Sequence, residues 1–199
     1  PTPVVSAGSS TSFCSGDSVI LTATGGVSYQ WLRNDTVING ATDSVLIVST
    51  AANWSVIATN SFGCSDTSNV IATTVNPLPT PVVSAGSSTT FCFGDSVVLT
   101  ASSGVSYQWL RNDSLVIGAT DSVLTVSTAA NWSVIATNSF GCSDTSNILA
   151  TTVNPLPTPS ITAGSSTSFC AGDSVILTAT GGVSYQWLRN DSLVIGATD

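Results

Sequence analysis

The chain repeats itself every 78 residues, and this period constrains its fold more than any single motif. Cys14, Cys92 and Cys170 fall in register, as do Trp31, Trp109 and Trp187. Two full copies, 1–78 and 79–156, differ at 12 of 78 positions, and 157–199 make a partial third repeat. A unit of this size buries only about 60% of its unfolded surface, so cross-links or neighbouring copies are expected to supplement its core. Near-identical copies suit a fibre, a stalk or an adhesin, whereas an enzyme rarely needs its reaction centre duplicated in series.

Within a copy, apolar residues alternate with Ser and Thr at period two, between clusters of Gly, Pro and Asn-Asp. That alternation marks half-buried strands, and no stretch sustains helical spacing. Val19, Leu21 and Ala23 share one face of a strand near 18–24. Val27, Tyr29 and Trp31 share a face of the next, followed by Leu46 with Val48 and by Trp54, Val56 and Ala58. Val70, Ala72 and Val75 are expected to close the copy. With an extended segment near 3–7 and a short one near Val37, this gives about seven strands per copy, an all-β sandwich or barrel. The segment 75–81, Val-Asn-Pro-Leu-Pro-Thr-Pro, joins the copies, and its prolines should make it extended and semi-rigid.

Charge excludes several function classes. Three Arg and eleven Asp are the only charged side chains, with no Lys, Glu or His, and the net charge is −8. Phosphate neutralisation needs clustered cations, so nucleic acid is not an expected partner. Anionic lipid is excluded on the same ground. No apolar run approaches the roughly 20 residues that span a bilayer. The opening Pro1-Thr2-Pro3 lacks the basic start and apolar stretch of a secretion signal, so the chain reads as an internal window of a longer secreted protein. Ser and Thr supply 62 of 199 residues, a polar, lysine-free surface with few trypsin sites that suits an extracellular polymer.

The residues also carry a family resemblance. Gly16-Asp-Ser-Val-Ile-Leu-Thr-Ala23, Tyr29-Gln-Trp31, Leu46-Ile-Val48 and Trp54-Ser-Val56 resemble strands B, C, E and F of an immunoglobulin-like domain. Phe13-Cys14-x-Gly16-Asp17 together with Gly63-Cys64-Ser65 resembles the tandem Ig-like and gliding-adhesin repeats of Bacteroidota surface proteins. The resemblance implies tandem antiparallel sandwiches in a secreted or cell-surface module without catalytic activity. One departure stands out: the positions of the inter-sheet cysteines are Ala23 and Val56, so Trp31 should pack on aliphatic neighbours.

The five cysteines therefore lie outside the core, before strand B and after strand F. In an extracellular chain they are expected to form disulfides. Pairing within a copy, Cys14 with Cys64, conflicts with the topology that the resemblance implies. Strands B and F run the same way, so the two cysteines sit at opposite ends of a strand of about 23 Å. Bridged Cα atoms lie about 4.4–6.8 Å apart. The preferred arrangement is a staple between copies: Cys14 with Cys142, Cys92 and Cys170 with copies that follow, and Cys64 with a copy that precedes. Intra-copy pairing and free thiols stay open as alternatives.

Every Asp with a successor precedes Ser or Thr, and eight of these pairs continue with Val or Leu. The hydroxyls are Ser18, Thr36, Ser44, Ser96, Ser114, Ser122, Ser174 and Ser192. Asp-Ser/Thr-aliphatic resembles an O-glycosylation signal of Bacteroidota secreted proteins, while Asp-Ser also suits the turn entering a strand. The triplets Asn34-Asp-Thr36 and Asn53-Trp-Ser55 are N-glycosylation acceptors in form only, in a chain of bacterial character. No catalytic residue emerges, because neither His nor Lys is present as a base and no Glu can pair with Asp. No metal ligand set or cofactor motif emerges either: two cysteines 50 residues apart make no zinc site, and there is no Asp-x-Asp-x-Asp loop for calcium. Convergence of Asp and backbone carbonyls between copies remains the one route to calcium.

Phe13 and Phe62 flank the cysteines and are expected to cover the junction, and Arg33 to be a solvated surface residue. Ile38-Asn39 becomes Val116-Ile117 in the second copy, a hint of lateral self-association into fibres. The expected function is a structural repeat segment of a secreted or cell-surface bacterial fibre or stalk. The alternative is an adhesin whose repeats bind glycan or protein ligands.

Overall fold

The computed structural model describes residues 1–198, and every element in them is a β-strand. Asp199, the last residue of the third copy, lies outside the described residues. The first repeat contains β1 (Val4–Ala7), β2 (Ser12–Cys14), β3 (Val19–Thr24), β4 (Ser28–Arg33), β5 (Thr36–Val37), β6 (Val45–Val48), β7 (Ala52–Thr59), β8 (Ser65–Thr67) and β9 (Ile71–Asn76). They form two facing sheets, β1-β3-β6 and β2-β9-β7-β4-β5, with β8 folded back on β7. This is an immunoglobulin-like sandwich with strands A, B and E opposite A′, G, F, C and C′.

The second repeat reproduces the plan with β10 (Val83–Ala85), β11 (Thr90–Cys92), β12 (Val97–Ala101), β13 (Ser106–Arg111), β14 (Ser114–Leu115), β15 (Val123–Val126), β16 (Ala130–Thr137), β17 (Ser143–Thr145) and β18 (Leu149–Asn154). In the third, β19 (Ser160–Ala163) pairs with β20 (Leu177–Thr180), and β21 (Gln186–Arg189) with β22 (Ser192–Thr198). Trp187 is half-buried there, whereas Trp31 and Trp109 are fully enclosed by the strands of the opposite sheet.

Each full repeat has nine strands rather than about seven. The A segment splits, so that β1 runs antiparallel to β3 while β2 runs parallel to β9 in the other sheet. The crossing is made at Gly8-Ser9-Ser10, where the Ser10 hydroxyl donates to the Ser12 carbonyl at 2.8 Å and accepts from the Ser12 amide at 3.2 Å. Asn69 ties the A strand to the G side: its Oδ1 accepts from Val5 N at 2.8 Å and its Nδ2 donates to Val5 O at 3.0 Å.

The core follows the alternation of β3 and β7. Val5, Val19, Leu21, Ala23, Trp31, Val48, Trp54 and Val56 form one buried cluster, and its counterpart fills the second repeat. Trp31 rests on aliphatic side chains at the positions where the immunoglobulin pattern has cysteines, and its indole N–H donates to Asp43 O at 2.8 Å. Truncating such a tryptophan costs about 3–5 kcal/mol.

Two expectations of side-chain placement are corrected. Val27 precedes β4 and is exposed rather than sharing the Trp31 face. In β9 the inward residues are Ile71 and Thr73, while Ala72, and Val70 just before the strand, face solvent. Thr73 is tolerated inside because its hydroxyl donates to Thr50 O at 2.7 Å and accepts from Trp54 Nε1 at 2.9 Å. Among the described residues, no buried side-chain nitrogen or oxygen lacks a hydrogen-bond partner. Arg33 is exposed as expected, and its guanidinium also lies 5.7 Å from the centre of the Trp54 ring; Arg111 repeats the contact on Trp132 at 5.8 Å.

The inter-repeat junction as candidate functional site

The junction is built from two turns that the sequence dictates. Cys14 ends β2, opposite Asn76 at the far end of β9. The chain then reverses through Cys14-Ser15-Gly16-Asp17, closed by Asp17 N donating to Cys14 O at 3.0 Å. Gly16 occupies the third position with φ of 98°, the left-handed conformation that a type II turn demands there. Ser15 N donates to Asn76 O at 2.8 Å, so the thiol-bearing corner is pinned to the end of strand G.

The other half is the hairpin between β16 and β17 of the second repeat. Asn138 organises it, its Oδ1 accepting from Phe140 N at 3.0 Å and from Cys142 N at 3.1 Å. Gly141, with φ of 80°, makes the reversal. The Asn138 side-chain amide then reaches across the junction and donates to Pro77 O at 2.8 Å. Asn60 builds the same loop one repeat earlier, accepting from Phe62 N and Cys64 N, both at 3.0 Å.

Cys14 and Cys142 are joined by a disulfide with Cα atoms 5.6 Å apart and a sequence separation of 128. Within the first repeat, Cys64 sits on the hairpin at the opposite end of β7 and β9 from Cys14. Cys142 is 1% exposed, enclosed by the corner it is bonded to, whereas Cys64 is exposed. A shallow concavity beside the bridge is lined by Ser15, Gly16, Asp17, Leu78, Gly141 and Ser143. Cys64, Cys92 and Cys170 are free and exposed. Cys92 occupies the corner of the second repeat that corresponds to Cys14, and no hairpin cysteine follows Cys170 among the described residues.

The flanking aromatics divide differently from expectation. Phe13 packs partly against the first core, but Phe62 is 89% exposed and covers nothing. Its ring lies on the hairpin of the first repeat, the end that faces away from the Cys14–Cys142 bridge. Phe93, in place of Ser15, is exposed as well.

All eight hydroxyls that follow Asp and precede Val or Leu, from Ser18 to Ser192, are exposed. The aspartates beside them have local roles. Asn34 and Asp35, with φ of 47° and 61°, form the two-residue turn between β4 and β5, the left-handed pair of a type I′ hairpin. The Asn34 side chain is itself committed, since Oδ1 accepts from Asn53 N at 2.9 Å. Among the described residues, no group of three or more Asp, Glu, His or Cys converges, and no helix is long and apolar enough to cross a membrane.

No family model matches the chain, and no curated protein sequence matches it. Solved structures resemble it at low identity. Fibronectin(III)-like modules of Clostridium thermocellum CbhA are 17% identical, cover 75% of this chain and 95% of their own, and give a TM-score of 0.41. The three N-terminal domains of the bacteriophage RB49 highly immunogenic outer capsid protein are 16% identical, cover 90% of this chain and 69% of that one, and give 0.41. Murine CEACAM1b is 14% identical, covers 76% of this chain and all of its own, and gives 0.38. At these scores the likenesses carry no functional argument, and the immunoglobulin-like class rests on the two-sheet topology described above.

Proposed function

We propose that this chain is a segment of a secreted or cell-surface fibre or stalk of Bacteroidota gliding-adhesin type. In this reading, 78-residue repeats, two complete (1–78 and 79–156) and one partial (157–199), are joined head to tail, each junction of the fibre carrying a peptide linker and a disulfide. The observation that supports it most is the Cys14–Cys142 bridge, which connects one repeat to the next instead of reinforcing either alone. Such bridges persist in oxidising compartments, in keeping with an extracellular location. Cys92 and Cys170 are then the donors to repeats that follow, and Cys64 the acceptor from one that precedes. No catalysis is proposed for it: its charged side chains are Asp and Arg alone, with no His, Lys or Glu to act as base.

Exposed Leu115 and Ile117 in the second repeat favour side-by-side association of such chains. The exposure of Ser18, Thr36, Ser44 and their counterparts supports O-glycosylation of the same surface. Non-reducing peptide mapping of the 199-residue chain tests the central reading: a Cys14–Cys142 cross-linked peptide and three titratable thiols are expected. A Cys14–Cys64 peptide would overturn it. Specific retention of the two-repeat unit on a glycan array would favour the adhesin instead, and an unmodified intact mass of native material would exclude glycosylation.

A further inference from the structure

The bridge also determines where tension runs. Pulled from its ends, the chain offers a covalent path that reaches Cys14 through β1 and β2. It then crosses one covalent bond to Cys142 and continues through β17, β18 and the strands of the third repeat. Strands β3 to β16 lie inside the closed loop and off this path. We propose that the staple and the short segments between cysteines carry the tension along the fibre, and that the bodies of the sandwiches are shielded from it. This rests on the stapled-scaffold reading above and goes beyond it, because it says which bonds carry the tension.

The spacing of the cysteines makes this load path short. Cys64 and Cys92 are 28 positions apart, as are Cys142 and Cys170. Each segment runs from a hairpin cysteine along strand G, through the proline linker and along strand A to the next corner cysteine. Fully extended, 28 residues reach roughly 90–100 Å, whereas the 156 residues of two repeats reach roughly 510–560 Å. With the staple recurring at each junction, one covalent path runs through Cys14, Cys142 and Cys170. A second, offset by one repeat, runs through Cys64 and Cys92. Each crosses two repeats on a single segment, so two cables act in parallel and elongation is capped at about one-fifth of that of an unstapled chain. These segments are already strands and a proline-rich linker in the native fold, so little slack remains to be drawn out.

The path can be measured on the full chain by tethering both ends and recording force–extension curves with and without a phosphine reductant. The bridge is mapped by mass spectrometry on the same sample. The loop of sequence separation 128 should stay hidden in the oxidised chain, so that the reduced chain extends roughly 420–460 Å further. The Cys14→Ser/Cys142→Ser variant should follow the reduced trace under both conditions. Equal extension with a mapped Cys14–Cys142 bridge would overturn the load path while leaving the stapled scaffold standing. Failure to map the bridge would overturn both.

Discussion

Asn138 donates its side-chain amide to the Pro77 carbonyl, 2.8 Å away across the junction, while its Oδ1 holds the hairpin that presents Cys142. One side chain therefore both shapes the loop and locates it on the preceding repeat, beside the corner that carries Cys14.

Asn138→Asp should separate these roles. The carboxylate retains acceptors for Phe140 N and Cys142 N but loses the donor to Pro77 O, and sets a charge against that carbonyl. The second repeat should keep its stability to within about 1.5 kcal/mol, the net value of one ordinary hydrogen bond. Formation of the Cys14–Cys142 bridge should slow, as followed by thiol trapping during oxidation. The equivalent Asn60→Asp should leave that rate unchanged.

Removing the bridge as Cys14→Ser/Cys142→Ser should lower stability in the transition that unfolds both repeats. Chain entropy puts the contribution of a loop of separation 128 at about 5 kcal/mol. Guanidinium denaturation of the oxidised chain and the variant measures the difference, and the reduced wild-type chain should coincide with the variant.

Thr73→Val keeps the shape of the core but removes a hydroxyl shared by Thr50 O and Trp54 Nε1. Orphaning either buried group costs about 1–3 kcal/mol, so the first repeat should lose at least that much. Thr151→Val should do the same in the second, where the hydroxyl serves Thr128 O and Trp132 Nε1. Thr73→Ser is expected to restore most of the loss, which identifies the hydrogen bonds as the cause.

Asp35, at φ of 61°, sits where a β-branched side chain is strained. Asp35→Val should cost roughly 1–3 kcal/mol, whereas Asp35→Gly should be tolerated or slightly stabilising because Asn-Gly is favoured in this turn. Thermal unfolding of the two variants gives the ordering. An order reversed between Val and Gly would show that the turn is not type I′ in solution.

Much of the sandwich was legible because period-two alternation is unambiguous where one face is buried: Val19, Leu21 and Ala23 point inward, as do Trp54, Val56 and Ala58. It failed around β9, where Val70 and Ala72 look like core and Thr73 does not. Only tertiary contacts reveal that the threonine satisfies a buried indole. The splitting of the A segment was hidden for a similar reason, since Ser12-Phe13-Cys14 finds its partner in β9, some 60 residues further along the chain. Phe62 misled because hydrophobicity does not report which end of a repeat faces a neighbour. The stacking of Arg33 on Trp54 needs the β4–β7 register, which sequence spacing does not supply. For the cysteines, strand direction outweighed proximity: Cys64 is the nearer partner of Cys14 in sequence, yet it lies at the other end of the sandwich.

The loop closed by Cys14 and Cys142 encloses the whole linker from Asn76 to Pro81. A protease that nicks that linker, or any exposed turn between the two cysteines, opens the backbone without parting the molecule. The fragments stay attached through sulfur, and severing a stapled chain requires a second injury at a matched position. In the fibre proposed above, this interleaving of bridge and backbone would amount to damage tolerance written into the order of the strands.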